Sequence, residues 1–223
     1  MDIVLYFLAI ALVFWAQVKV KGKYSHFSTV PTIARRSGYE VARQILDLKG
    51  LHDVEVKQSQ FGVLSDHYDP KTNTVNLSPK VYAQSTIASV AIAAHEVGHA
   101  IQYAERYQFI AVRSTLLPIA VISGHLGWIV AIMGLFLSFT NMFYLGIIML
   151  SMVALFQLIT LPIEYDASAR ALNILSSDGF INLDETADAK SMLNAAALTY
   201  VAAFVATLIQ ILRLLVLANR RKD

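Results

Sequence analysis

Cysteine is absent from all 223 residues. That excludes disulfides and any thiolate zinc site, so a bound zinc here needs histidine and carboxylate ligands. Charge is scarce as well. Asp, Glu, Lys and Arg make up 15% of the chain, and the formal net charge is +2. The basic residues form no stripe interleaved with aromatics, so no nucleic-acid partner is expected. The chain also lacks a basic start and a small-residue cleavage site, so its first apolar run reads as a retained anchor and not a cleaved signal. No internal repeat or low-complexity tract occurs.

Apolar residues fill the space left by charge. They account for 56% of the sequence, and the mean hydropathy of +0.53 is too high for an ordinary soluble domain. Four runs stand out, at residues 3–18, 116–139, 142–163 and 195–218. The first is just long enough to cross a bilayer when Val20 and the lysines beside it are counted. The second and third are separated by Thr140 and Asn141 and read as a transmembrane hairpin. Lys19, Lys21, Lys23, Arg106 and Arg113 lie near membrane ends, so the positive-inside rule places the segment after the first run in the cytoplasm. A full crossing by the fourth run, which carries Gln210 and Arg213, would put Arg220, Arg221 and Lys222 outside, against that rule. That run either crosses or lies tilted or re-entrant.

The long polar section, residues 24–113, carries the mixed structure. Residues 38–50 hold Val41, Ile45 and Leu48 at helical spacing with a glycine at the end, which predicts a short amphipathic helix. Residues 54–56 alternate like a strand. In residues 66–78, Asp69, Pro70 and Asn73 sit between β-prone residues and predict a hairpin. Asn182 followed by Glu185 resembles a capping box opening a later helix. The resulting plan has an anchor at 1–20 and a cytoplasmic α+β portion at 21–115. A transmembrane hairpin follows at 116–163, then a ligand-bearing helix and connector at 164–194, and a membrane-embedded helix with a basic tail at 195–223.

Chemistry concentrates at His95, Glu96, Val97, Gly98 and His99, within residues 87–103. Helical positions four apart project about 40° apart, so His95 and His99 can face one metal ion, with Glu96 near enough to reach a water on it. This is the zinc-hydrolase spacing H-E-x-x-H, and six His and six Glu in the chain make a chance match roughly one in two hundred. The bland reading, two packed histidines and a stray acid, buries several unpaired polar groups in a run of Ala, Ile and Val, at a cost of several kcal/mol.

Zinc then lacks one protein ligand. An extended H-E-x-x-H-x-x-G-x-x-H pattern would need glycine and histidine where Gln102 and Glu105 stand, which excludes that class. The remaining common solution is a glutamate on a second helix, and Glu164 fits best because it lies where a membrane helix returns to the side of His95 and His99. Arg170 is the one nearby base that would otherwise neutralise it. Asp166 is the runner-up ligand, although it projects about 200° away from Glu164 on a helix. His67 is expected to be solvated, and His125, inside the second run, to serve helix packing through a hydrogen-bonded imidazole.

The segments GYEVARQILDLKGLHDVEV, SDHYDPKTNTVNLS, AAHEVGHAIQYAE, LPIEYDASARAL and AAALTYVAA resemble, in order and over nearly the whole chain, the YugP-type membrane zinc metallopeptidases of bacteria. The resemblance implies His95, His99 and Glu164 as zinc ligands and Glu96 as the catalytic acid and base. The chain is also distantly similar to membrane peptidases related to the CAAX-processing zinc protease, in which an aspartate commonly stands four residues after the ligand glutamate. Here that position is Ser168, a departure that bears on the support of the first histidine.

The expected molecule is mainly α, a multi-pass membrane helical protein with a small α+β, gluzincin-like zinc metallopeptidase portion. Its expected partners are a protein or peptide substrate and the lipid bilayer, in a bacterial cell membrane with the site facing the cytoplasm. His67, Tyr68, Tyr103 and Tyr165 are candidates for a second oxyanion donor, and the 66–78 hairpin for an edge that pairs with extended substrate. Two rivals are an intramembrane site-2-type protease, with Asp178 and Gly179 completing its site, and a non-catalytic metal-stabilised scaffold. The first suffers because only residues 87–94 precede His95 as an apolar stretch, too few to span. The second has no use for Glu96.

Overall fold

The structure, a computed structural model, describes residues 2–219. In chain order the elements are α1 (Asp2–Phe27), α2 (Gly38–Leu48), β1 (Glu55–Gln58), β2 (His67–Asp69), β3 (Thr74–Leu77), α3 (Pro79–Ala83), α4 (Ile87–Ala104), α5 (Gln108–Phe136), α6 (Thr140–Ser177) and α7 (Leu183–Asn219). The chain is mainly helical with one small three-stranded sheet. Described residues 2–18, 108–162 and 198–219 form one compact unit, here the apolar unit. Residues 19–107 and 163–197 form the other, the mixed unit.

In the mixed unit, α2 starts at a reciprocal cap. The Ser37 hydroxyl accepts from the Glu40 N–H at 3.2 Å, and the Glu40 carboxylate accepts from the Ser37 N–H at 2.7 Å. Val41, Ala42, Ile45 and Leu46 are fully buried, whereas Leu48, expected on the inner stripe, is 63% exposed. Leu46 takes that inner place two residues earlier, as the helix ends against the turn at Lys49. The strand expected at 54–56 runs Glu55–Gln58. It pairs parallel to β3, and β3 pairs antiparallel to β2. The turn joining β2 to β3 is closed by the Asp69 carboxylate, which accepts from the Lys71 N–H and the Thr72 hydroxyl.

Helix α4 opens at Thr86, whose hydroxyl accepts from the Ser89 N–H. It is buried on nearly every side, which explains its continuous run of Ala, Ile and Val: a helix apolar all round is a core helix. Two expectations change in the long helices. Pro162 does not end the helix that begins at Thr140; α6 continues to Ser177. The connector after 182 and the fourth apolar run form one helix, α7, which opens with the Asn182 and Glu185 reciprocal cap. Glu185 also accepts from the Ile33 N–H at 2.6 Å, which accounts for its burial.

In the apolar unit, Ala131, Phe143, Leu150 and Leu214 are the buried centre. A Cβ at Gly146 would collide with the Ala131 backbone, and one at Gly134 with the Phe143 backbone, so α5 and α6 meet along small residues. The Arg213 guanidinium lies over the Tyr6 ring at 4.7 Å. The outward faces are apolar: Phe14, Ile129 and Phe136 are 69%, 54% and 71% exposed. Among the described residues, four helices are long and apolar enough to cross a membrane by length and composition: α1, α5, α6 and α7. Arg220, Arg221 and Lys222, the basic tail read from the sequence, lie outside the described residues.

Candidate metal centre

Two helical segments of the mixed unit supply the centre, α4 and the part of α6 from Ile163 on. α4 presents His95 and His99 one turn apart, their rings 4.7 Å between centroids and nearly perpendicular. α6 presents Glu164, whose Oε2 lies 3.4 Å from His95 Nε2 and 3.7 Å from His99 Nε2. The three donors lie within 4.8 Å of one another. A tetrahedral zinc with bonds near 2.0–2.1 Å needs its ligand atoms about 3.3 Å apart, so the spacing suits such an ion. The donor set, two imidazoles and a carboxylate, suits it chemically as well.

Gly98 allows this approach. A Cβ there would sit 2.7 Å from the Ala167 carbonyl oxygen, so a larger residue would push α6 and Glu164 away from α4. Glu164 is 6% exposed, and both imidazole side chains are largely buried. Burial opposes a charge on His99, yet the facing Glu164 and the charge of Glu96 outweigh it and raise the imidazole pKa. The pocket therefore favours positive charge, as a cation site must. Arg170, the base considered as a rival partner for Glu164, bonds Asp166 and Glu105 instead, both at 2.6 Å.

The other ring nitrogens are occupied. His95 Nδ1 lies 3.1 Å from the Ser168 hydroxyl, and His99 Nδ1 lies 3.0 Å from Gln102 Oε1. Ser168 thus stands at the first histidine without a carboxylate. Glu96, 8% exposed, accepts from the Tyr68 backbone N–H at 3.1 Å. β2 is an edge strand, so the hairpin expected to offer a substrate edge gives this donor to Glu96. Behind it, burial pushes the Asp66 carboxyl up, and the Glu96 charge adds to the shift. The Ser78 N–H, 2.6 Å from Asp66 Oδ1, opposes it.

The remaining candidates fall elsewhere. Asp166 accepts from Gln102 and Arg170 and is not part of the three-residue cluster. His67 is exposed, with Nδ1 2.8 Å from the Ser65 carbonyl. His125 is exposed on α5 and not packed between helices as expected; a residue on an outward face has no neighbouring helix to pack against. The Tyr68 hydroxyl donates to Asn73, and its ring stacks near Tyr103 at 5.4 Å. Tyr165 is 48% exposed. Asp178 lies in the turn that ends α6, its N–H bonded to the Ile174 carbonyl. Sequence reading missed Gln102 as the partner of His99. Its position three residues on, on the same helical face, was the available signal.

Residues 2–219 match the family described as "Putative neutral zinc metallopeptidase". The chain is 41% identical over 215 residues to "Putative membrane protease YugP" of Bacillus subtilis (strain 168), covering 96% of this chain and 95% of that protein. No solved structure matches it.

Proposed function

The chain belongs to the family described as "Putative neutral zinc metallopeptidase", and from that membership we propose that it is a zinc-dependent endopeptidase of the bacterial cell membrane. His95, His99 and Glu164 hold the metal, and Glu96 is the general base and acid. One observation carries the reading: three ligand atoms from two helices converge within 4.8 Å, beside a buried glutamate whose other anchor is a backbone N–H. Zinc held there lowers the pKa of a coordinated water toward about 7 and polarises the scissile carbonyl.

The chain's own groups do the rest. The Tyr68 N–H fixes Glu96 Oε2, leaving Oε1 to take a proton from the attacking water. As the new C–O bond forms, that proton sits on Glu96. When the C–N bond breaks, Glu96 delivers it to the departing amine, so the carboxylate is regenerated. Ser168 and Gln102 accept from Nδ1–H of His95 and His99, which leaves each Nε2 lone pair for the metal.

Three of the apolar helices, α1, α5 and α6, cross the bilayer, and α7 either crosses it or lies tilted or re-entrant in it. Both segments of the mixed unit then lie on the side of Lys19, Lys21 and Lys23, the cytoplasm. The substrate is a protein or peptide chain. Purified protein should contain zinc by elemental analysis, and Glu96→Gln should keep that zinc while hydrolysis of a test protein falls about 10²–10⁴-fold. Wild-type rates in that variant would refute the role of Glu96; protein purified without zinc would refute the metal.

A further inference from the structure

A buried amide beside the centre has no part in the chemistry just described. Gln102 is fully buried and makes three polar contacts. Its Oε1 faces His99 Nδ1 at 3.0 Å, while its Nε2 donates to the Ile163 carbonyl and to Asp166 Oδ2, both at 2.8 Å. An amide nitrogen only donates, and a carbonyl and an ionised carboxylate only accept. Asp166 Oδ2 also accepts from the Arg170 guanidinium at 2.6 Å. These two acceptors fix the amide with its oxygen toward the imidazole. His99 Nδ1 must then carry a proton, and Nε2 is the nitrogen left for a metal. Arg170 also binds Glu105, the capping residue just past the end of α4. The hydrogen bonds therefore run from α4 to α6 and back to the end of α4, one turn from Glu164.

We infer that Gln102 is a positioning residue for the metal centre. It transmits the polarisation of the Asp166 carboxylate through its amide, holds His99 in the Nδ1–H form, and sets the distance between the histidine helix and the glutamate helix. His95 receives a weaker neutral partner, Ser168. The carboxylate support that Ser168 does not supply to the first histidine reaches the second through an amide. This inference rests on the zinc reading above.

The test uses full-length, detergent-solubilised protein, with zinc affinity measured by chelator competition and the ¹⁵N shifts of His99 measured without metal. Gln102→Leu should weaken zinc about 10- to 100-fold and release His99 into the Nε2–H form. Gln102→Glu sets two carboxylates side by side and should weaken zinc too. The Gln102→Glu/Asp166→Asn double variant swaps amide and carboxylate while keeping an acceptor at Nδ1, and should regain part of that loss. Wild-type zinc affinity with His99 still Nδ1–H in Gln102→Leu would overturn the inference. If Gln102→Leu does not fold, the swap decides: recovery supports the inference, and no recovery overturns it. Wild-type protein that binds zinc but cleaves nothing would sink the peptidase reading alone. If it binds no zinc, the zinc reading fails, and the His99 tautomer in Gln102→Leu still decides whether Gln102 sets the imidazole.

Discussion

The two units bury and expose different kinds of side chain. In the apolar unit, large side chains such as Phe14, Ile129 and Phe136 point outward and the helices meet at Gly134, Gly146 and Ala131. In the mixed unit, Val41, Ile45, Leu77 and Val90 are buried, and so are Glu96, Gln102, Glu164 and Ser168. Each of those four polar side chains has a polar partner. Helices that meet at small residues associate through close backbone approach, while a buried polar group costs least when it is hydrogen-bonded. The buried polar groups of the mixed unit include those of the candidate site and others away from it, such as Thr32, Thr74 and Glu185, whereas the outward apolarity of the other unit is spread over its helices.

The sharpest way to break this contrast is to charge an outward face. Ile129 lies near the middle of the second apolar run and is 54% exposed. Ile129→Lys should cost about 2.5–3.5 kcal/mol of insertion at a helix centre in a bilayer. Membrane fractionation should show the variant depleted from the membrane or degraded. Full accumulation there, with unchanged glycosylation- or protease-mapped topology, would mean that the outward face does not meet lipid.

The next largest effect belongs to the mixed unit. Gly98→Ala places a methyl 2.7 Å from the Ala167 carbonyl oxygen, where a backbone has to move. The expected cost is about 1–3 kcal/mol of stability, together with about 10- to 100-fold weaker zinc, since Glu164 rides on the displaced helix. Elemental analysis after dialysis against a weak chelator, with a melting curve, reads both. Undiminished zinc would show that the close helix contact does not set the ligand distance.

His95, Glu96 and His99 were legible because a spacing of four on a helix is itself a geometric statement. Glu164 was legible by its position, where an apolar run returns toward the histidines, with Asp166 as runner-up, and it is the Glu164 carboxylate that lies by the two imidazoles. Gln102 was not, because the groups that give it meaning, the Ile163 carbonyl and Asp166, arrive from another helix more than sixty residues later. The length of α6 was hidden by Pro162, a residue that usually ends helices but loses only one hydrogen bond inside a long apolar one. Leu48 misled by periodicity alone: a stripe of three apolar residues fixed the face but not where α2 would stop.

The smallest effect concerns a buried acid beside the proposed base. One oxygen of Asp66 accepts from the Ser78 N–H, and the other is buried with no hydrogen-bond partner among the described residues. Burial first, and the charge of Glu96 second, raise its pKa in the folded protein above the ordinary carboxylate value. A raised pKa means that the folded state binds the proton more tightly than the unfolded state does. Its stabilising contribution is therefore complete below the unfolded pKa and is lost as pH rises through the folded one. Asp66→Asn keeps an oxygen that can accept from Ser78 and removes the titration. The variant's melting temperature, measured relative to wild type in the same detergent, should gain a few degrees between about pH 4 and about pH 7. A difference that stays flat across that range would show that the Asp66 carboxyl is as well solvated as any surface aspartate.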